Sequence, residues 1–381
     1  MIPAVEQDNL WTNDNNKMIT NLFQCMEMGT CAPNQKKIII LGSYHFLGAL
    51  VGWNGGEDMW CRSTVLALKE RNYTILYALN NDRAVQLYQM FPKMVKAVLL
   101  EVPEVYNCHA DTENCVLSDR NPHGIPIWKI FSWHFWVHTA HPLGRLWTLN
   151  PEPYELEGHE NPNTYVGYSV EPSCLSTPYV PPAQRRGQGY VMAKRLHYFT
   201  PIPERAWSND YYEDAVEAAG IELVLGANLL DGGEASRIEL PKGIRNLGVL
   251  PQPKFMEEVA HSKVMIGVGQ PWTSPTPYEA LCLGVPFINP ILSWDENNKT
   301  NRMAWSTQHG LLRHLNPPYV YNVHRDDHAG FVAAVKAAVE NPIERHILSR
   351  MRIPVIAERI QTLFDRDWEA EYRKLLDEGE L

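Results

Sequence analysis

The chain has 381 residues, 45% hydrophobic and 20% charged, with a formal net charge of −10. That length suits two hydrophobic cores better than one, and an acidic balance without a basic run argues against a nucleic-acid partner. No apolar stretch reaches the length of a membrane span, and Met1–Thr20 is too polar for a signal peptide. The protein is therefore expected to be cytosolic, or to reach a membrane only through an anchor outside this chain.

Taken in order, Met1–Gln35 reads as a polar, turn-rich, extended lead-in. Lys36–Leu41 (KKIIIL) is a buried strand ended by Gly42, and Ser43–Gly56 is a glycine-spaced loop. Glu57 and Asp58 then open a helix over Met59–Arg71, and Tyr73–Ala78 is the next strand. An acidic residue in a helix's first turn complements the dipole by ~0.3–1 kcal/mol. A carboxylate held on a glycine loop is equally a candidate catalytic base, so both readings of Glu57 stand at this point. Val95–Val102 is a third strand, Cys108–Pro126 a loop, and Ile127–Val137 a buried strand or short helix. From His138 to Pro182 repeated prolines break regular structure, with one β-prone segment at Tyr165–Val170, and the span reads as a crossover between domains.

A second α/β pattern follows. Tyr190–Ala193 is a strand with Lys194 at its carboxyl end, where open parallel sheets bind ligands. Asn209–Ala219 is a helix stopped by Gly220, Ile221–Leu225 and Ile244–Leu247 are strands, and Pro253–Ala260 is a helix. The densest signal is Lys263–Pro290. There an apolar strand (Val264–Val268), a Gly/Pro/Ser/Thr turn (Gly269–Pro277), a helix (Tyr278–Leu283) capped by Gly284 and a strand (Val285–Ile288) make a βαβ unit. Such a unit aims a helix N-terminus at the sheet's carboxyl edge, which favours an anion. Ser274 and Thr276 can add hydroxyl donors, and Glu279 can accept from a ribose hydroxyl. A plain helix cap with a surface glutamate is the alternative. A polar loop, Ser293–Arg302, precedes a helix over Ala329–Asn341, and Ile343–Leu376 is helical with one break at Pro354.

The seven cysteines form no metal pattern. Cys25/Cys31 and Cys108/Cys115 are close enough for local disulfides, whereas Cys61 and Cys282 fall on helices as packed thiols. Asn72-Tyr-Thr and Asn298-Lys-Thr match the N-glycosylation sequon and, with the loop cysteines, lean toward a secretory lumen. His45 and the cluster His134, His138 and His141 invite a metal reading, but loop histidines beside Trp and Pro are more often surface or hydrogen-bonded groups.

The fold class is α/β, with two Rossmann-like domains facing across a cleft in the GT-B manner. The expected bounds are 1–35 for the lead-in, 36–170 for an acceptor-side domain with the base, and 171–189 for a linker. A nucleotide-sugar domain over 190–345 and C-terminal helices over 346–381 that pack across both domains complete the chain. Pattern alone allows a two-domain dehydrogenase, but no G-x-G-x-x-G follows either leading strand and no Walker A motif is present.

Residues 267–290 then carry a resemblance. Gly267, Pro271, Trp272, Pro275, Pro277, Glu279, Ala280, Gly284, Phe287, Ile288, Asn289 and Pro290 fill the spacing of the donor-site segment of glycosyltransferase family 18, the N-acetylglucosaminyltransferase V family. Leu149–Glu171 is similar to that family's LNP segment and the strand after it, and Tyr190–Phe199 to its lysine-bearing strand, with Lys194 as the lysine. The resemblance covers most of Lys36–Leu376 at low identity and loosens around the glycine loop, where Glu57 aligns with the family's acidic residue after a one-residue gap.

The resemblance implies an inverting transfer that requires no metal. N-acetylglucosamine moves from UDP-GlcNAc to the 6-hydroxyl of a mannose on an N-glycan or glycoprotein, forming a β-1,6 branch, in the Golgi lumen or elsewhere in the secretory pathway. It assigns Glu57 as base with Asp58 as rival. Lys194, Ser274 and Thr276 hold the diphosphate, with Lys299 from the polar loop; Glu279 holds the ribose, and Trp272 lies near the nucleotide or sugar. Each has a plain alternative: an ion pair for Lys194, a solvated loop for Lys299, hydrophobic core for Trp272. Another GT-B enzyme with a different donor or acceptor, or a non-catalytic nucleotide- or sugar-binding protein, are the rival functions.

Overall fold

A computed structural model describes residues 9–160, 162–228 and 238–379. The first eight residues of the expected lead-in, residue 161 of the LNP-like segment and the last two residues of the C-terminal span lie outside the described residues. The chain forms two compact units. One comprises Met1–Glu155, His159–Ser169 and Ser349–Leu381; the other comprises Leu156–Gly158 and Val170–Leu348.

The first unit opens with a helix, α1 (Asn9–Met28), where an extended segment was expected. The reason is tertiary. Its Asn15 side chain donates to the Tyr77 carbonyl (2.8 Å) and accepts from the Tyr77 N–H (2.7 Å), standing in for a neighbouring strand at an open sheet edge. Leu22 and Cys25 bury on the same helix, whose end is tied by the Cys25–Cys31 disulfide. The elements β1 (Ile38–Leu41), α2 (Tyr44–Leu50), α3 (Gly56–Glu70), β2 (Thr74–Tyr77), α4 (Asn81–Met90), β3 (Val95–Glu101), α5 (Val102–Ala110), β4 (Ile130–Trp133), β5 (Thr148–Asn150) and β6 (Thr164–Tyr165) follow. They build one parallel sheet in the order β2-β1-β3-β4-β5-β6. Ile38–Leu41 and Thr74–Tyr77 are buried at every position, as strands covered on both faces must be. The helix α2 corrects the all-loop reading of Ser43–Gly56: the Ser43 hydroxyl accepts from the His45 N–H at its start, and Phe46, Leu47 and Ala49 supply a buried face.

The second unit contains α6 (Glu171–Cys174), β7 (Gln188–Met192), α7 (Asn209–Ala219), β8 (Glu222–Leu225), β9 (Ile244–Asn246), α8 (Gln252–Ala260), β10 (Met265–Gly267), α9 (Thr276–Cys282), β11 (Phe287–Ser293), β12 (Ser306–Thr307), β13 (Val320–His324) and α10 (His328–Glu340). Its sheet runs β12-β11-β10-β7-β8-β9 with β13 also on β11, and every pairing is parallel except β11 with β12. Trp207, Tyr212 and Phe331 lock α7 and α10 over a core that includes Val191, Leu223 and Ile266.

Residues 171–189, expected as a linker, belong to this unit. Cys174 of α6 is disulfide-bonded to Cys282 of α9, and Arg185 donates to the carbonyls of Leu283 and Gly284. Cys282 is therefore not the packed thiol that its helix suggested. Its partner lies 108 residues away, beyond any local spacing rule. Cys108–Cys115 forms as a local pair, and Cys61 stays a buried thiol.

The chain then returns to the first unit as α11 (Ile353–Asp365), packed on α3, and α12 (Trp368–Glu378). The helical span begins at Ile353 rather than Ile343. Pro354 opens it instead of breaking it, because a first-turn N–H has no intrahelical partner to lose. Among the described residues no helix is long and apolar enough to cross a membrane.

Candidate functional site

Each sheet presents chemistry at its carboxyl edge. In the first unit, Leu41 lies beside Leu99, and Glu101 beside Trp133, so β1, β3 and β4 end together. The chain leaving β1 passes through Ser43 and His45, and α3 returns with Glu57 and Asp58 in its first turn. These two carboxylates are not equivalent. Asp58 is buried; one oxygen accepts from the Gly55 N–H (2.8 Å), and the other lies 2.7 Å from His45 Nδ1. It is a reach-back cap for α3 and the anchor of the imidazole. Glu57 is half-buried and has no hydrogen bond or ion pair to a described residue.

Glu101, at the end of β3, accepts a short hydrogen bond from the Ser43 hydroxyl. Burial raises its pKa above the usual carboxylate value, while the Ser43 bond and the nearby His45 pull it back. The edge is therefore dense in carboxyl groups, and His45 is the cation-capable group among them. Further along, the His134 and His138 rings meet edge to face at 4.2 Å. Burial, then His138, lowers His134 to about 4, and burial lowers His141 to about 3. His141 uses Nδ1 to accept from the Leu143 N–H (2.9 Å).

In the second unit β7 and β10 are neighbours with Met192 beside Gly267, so Lys194 and the turn after β10 leave the sheet at one edge. The Lys194 side chain is exposed, and its carbonyl accepts from the Asn228 N–H (3.0 Å). The turn is a fixed backbone object. Gly267 has no room for a Cβ between Gln308, Pro290 and the Ile288 carbonyl, and at Gly269 (φ +105°) a Cβ would fall on the Glu204 carbonyl. Gln308, itself buried, accepts from the Gly269 N–H (2.8 Å) and donates to the Pro271 carbonyl (3.2 Å), while its own carbonyl takes the Thr273 N–H (3.1 Å).

Ser274 donates to Thr276 Oγ1 (3.2 Å) where α9 begins. Glu279 is buried and accepts from Ser173 (2.8 Å) and Gln252 (3.4 Å). Trp272 is half exposed on the turn rather than in the core. Lys299 is exposed; its ammonium pairs with Glu296 at 3.6 Å and lies over the Trp294 ring, both in its own loop, while its carbonyl accepts from the Trp305 indole N–H (2.8 Å).

Lys194, Ser274, Thr276 and Glu279 thus share one edge region, as do Glu57 and Asp58 in the other unit. Sequence reading missed Ser43, Glu101, Ser173, Gln252 and Gln308, and weighed His45 only as a metal ligand. It also assigned no role to Asn289, which is fully buried and ties β11 to β13 by donating to Asn322 (2.9 Å). Asn289 stood in the motif; the others carry no local signal, since each matters through a partner far along the chain.

Residues 138–368, more than half of the chain, match the family described as glycosyltransferase family 18. Alpha-1,6-mannosylglycoprotein 6-beta-N-acetylglucosaminyltransferase A of Cricetulus griseus is 23% identical over 59% of this chain and 30% of its own length. The B enzyme of Homo sapiens is 27% identical over 32% of this chain and 16% of its own length. The chain therefore spans less than a third of these relatives. Among solved structures, AviGT4, a glycosyltransferase involved in avilamycin A biosynthesis, aligns over 87% of this chain and 97% of its own at 13% identity, with a TM-score of 0.45.

Proposed function

Because the chain belongs to glycosyltransferase family 18, we propose that it transfers N-acetylglucosamine from UDP-GlcNAc to the 6-hydroxyl of a mannose in an N-glycan, with inversion and without a metal. The acceptor O6–C1 bond forms as the bond from C1 to the β-phosphate oxygen breaks. Glu57 takes the hydroxyl proton, and UDP leaves with the electron pair. Lys194, Ser274, Thr276 and the N–H groups opening α9 meet the diphosphate charge, joined by Lys299 from its loop. Glu279 receives the ribose, and Trp272 flanks the nucleotide or sugar. The reaction belongs in the Golgi lumen, a reading supported by three disulfides and by the exposure of Asn72 and Asn298 in their sequons.

The observation that carries the choice of base is the inequality of neighbours. Asp58 is committed to Gly55 and His45, whereas Glu57 has no described partner and is only half-buried. Of the two adjacent carboxylates, Glu57 is the one with neither oxygen already engaged by a described neighbour, which leaves it freer to take a proton.

The test is transfer to a biantennary N-glycan in EDTA with a panel of UDP- and GDP-sugars, read by mass spectrometry. The expected product gains one N-acetylhexosamine from UDP-GlcNAc alone, with turnover absent in Glu57→Gln. Product from a different donor, or dependence on an added divalent ion, overturns the corresponding part. Donor binding without transfer in the wild type favours a binding protein.

A further inference from the structure

Large apolar side chains on the first unit's edge are left in water. Tyr44 is 55% exposed, Val51 57% and Trp53 53%, all within the short stretch between β1 and α3. This stretch is not loosely held. The Trp53 N–H donates to the Gly48 carbonyl (2.9 Å), its carbonyl accepts from Arg62 (2.9 Å), and its ring lies so close over Gly48 that a Cβ there would collide with it. The Tyr44 ring lies against that of His45, tilted by 32° with centroids 4.2 Å apart. His45 in turn is held 2.7 Å from Asp58, the residue next to Glu57. One chain of contacts therefore fixes an exposed aromatic ring to the turn that carries the proposed base.

We propose that Tyr44 is the platform on which the acceptor's sugar ring lies next to Glu57. This rests on the reading of Glu57 as the base. A pyranose offers a flat face of C–H bonds that packs on an aromatic ring and a rim of hydroxyls that need acceptors. The edge supplies both, the rim being met by Glu57 and Glu101. The same carboxylates repel an anion, so the occupant is a neutral sugar of the acceptor and not the diphosphate-bearing donor. The Tyr44 phenol is raised by burial first and then by Glu101, Glu57 and Asp58, in keeping with carboxylates close around it. Tyr44 is a binding residue here, not a proton-transfer group.

The experiment uses the full chain and a biantennary N-glycan in the presence of UDP. Saturation-transfer NMR and direct titration are compared for the wild type, Tyr44→Phe and Tyr44→Ser, with UDP affinity measured alongside. Stacking of this kind predicts glycan binding weakened by about tenfold in Tyr44→Ser and little changed in Tyr44→Phe, with UDP affinity the same in all three. Circular dichroism reports whether Tyr44→Ser folds; if it does not, ring-proton contacts to the glycan in the wild type decide the matter alone. Equal glycan binding by Tyr44→Ser, or no glycan binding by the wild type, overturns the proposal. Contact to Tyr44 without any transfer sinks the catalytic reading and leaves this one standing. Transfer with an acceptor KM indifferent to Tyr44→Ser does the reverse.

Discussion

The two carboxyl edges solve opposite problems. In the second unit the turn between β10 and α9 is made of backbone, shaped by glycines and prolines and clamped by Gln308. In the first unit the edge is made of side chains: Ser43, His45, Glu57, Asp58 and Glu101, whose character depends on which of them are paired. A site of backbone N–H groups is set by where the chain runs. A site of carboxylates is set by who neighbours whom, and it can be altered one partner at a time.

The sharpest way to break this contrast lies within the acidic pair. Glu57→Gln is expected to lower turnover by about 10²–10⁴-fold, the usual reach of general base catalysis, with thermal stability unchanged. Asp58→Asn should do the reverse in emphasis, keeping measurable turnover while losing about 1 kcal/mol of stability with its cap and its His45 contact. Comparable losses of turnover in both variants would merge the two roles.

The backbone edge is tested through its staples. Cys282→Ser, or reduction of the Cys174–Cys282 bond, releases a link across 108 residues. The unfolding free energy of the second unit, read thermally or in denaturant, should fall by about 5 kcal/mol on the chain-entropy account. An unfolding midpoint indifferent to reductant would contradict it. Gln308→Ala removes the acceptor for the Gly269 N–H and the donor to Pro271 and should cost about 2 kcal/mol. Here the turn loosens, so UDP affinity should drop as well. Retained affinity would mean that the turn's shape does not depend on the clamp.

The smallest effect concerns pH. Burial raises the folded-state pKa of Glu101. Its contribution to stability is thus fully present below the unfolded carboxyl value and is lost as pH rises through the raised one. Glu101→Gln, neutral throughout, should therefore gain on the wild type as pH rises from 4 to 7, read as a widening difference in melting temperature. A constant difference across that range would place the titration elsewhere.

Most of the architecture was legible from one residue to the next. Ile38–Leu41 reads as a doubly covered strand because nothing in it tolerates water, and Asn209–Ala219 reads as a helix because its apolar stripe ends at Gly220. The βαβ unit at 264–288 follows from the same local rules, and with it the positions of Ser274, Thr276 and Glu279. Glu57 was legible as a candidate but not as distinct from Asp58. The helix over Asn9–Met28, the Cys174–Cys282 bond and the Gln308 clamp were not legible at all.

The amino-acid sequence by itself determined the alternation of strand and helix, the two sheets and the family, because periodicity, capping and a dense glycine–proline motif act over a few residues. Only the tertiary structure decided which carboxylate is paired, which aromatic rings stay in water and what holds the turn after β10. Those outcomes depend on contacts between residues tens to more than a hundred positions apart, such as Ser43 with Glu101 and Ser173 with Glu279.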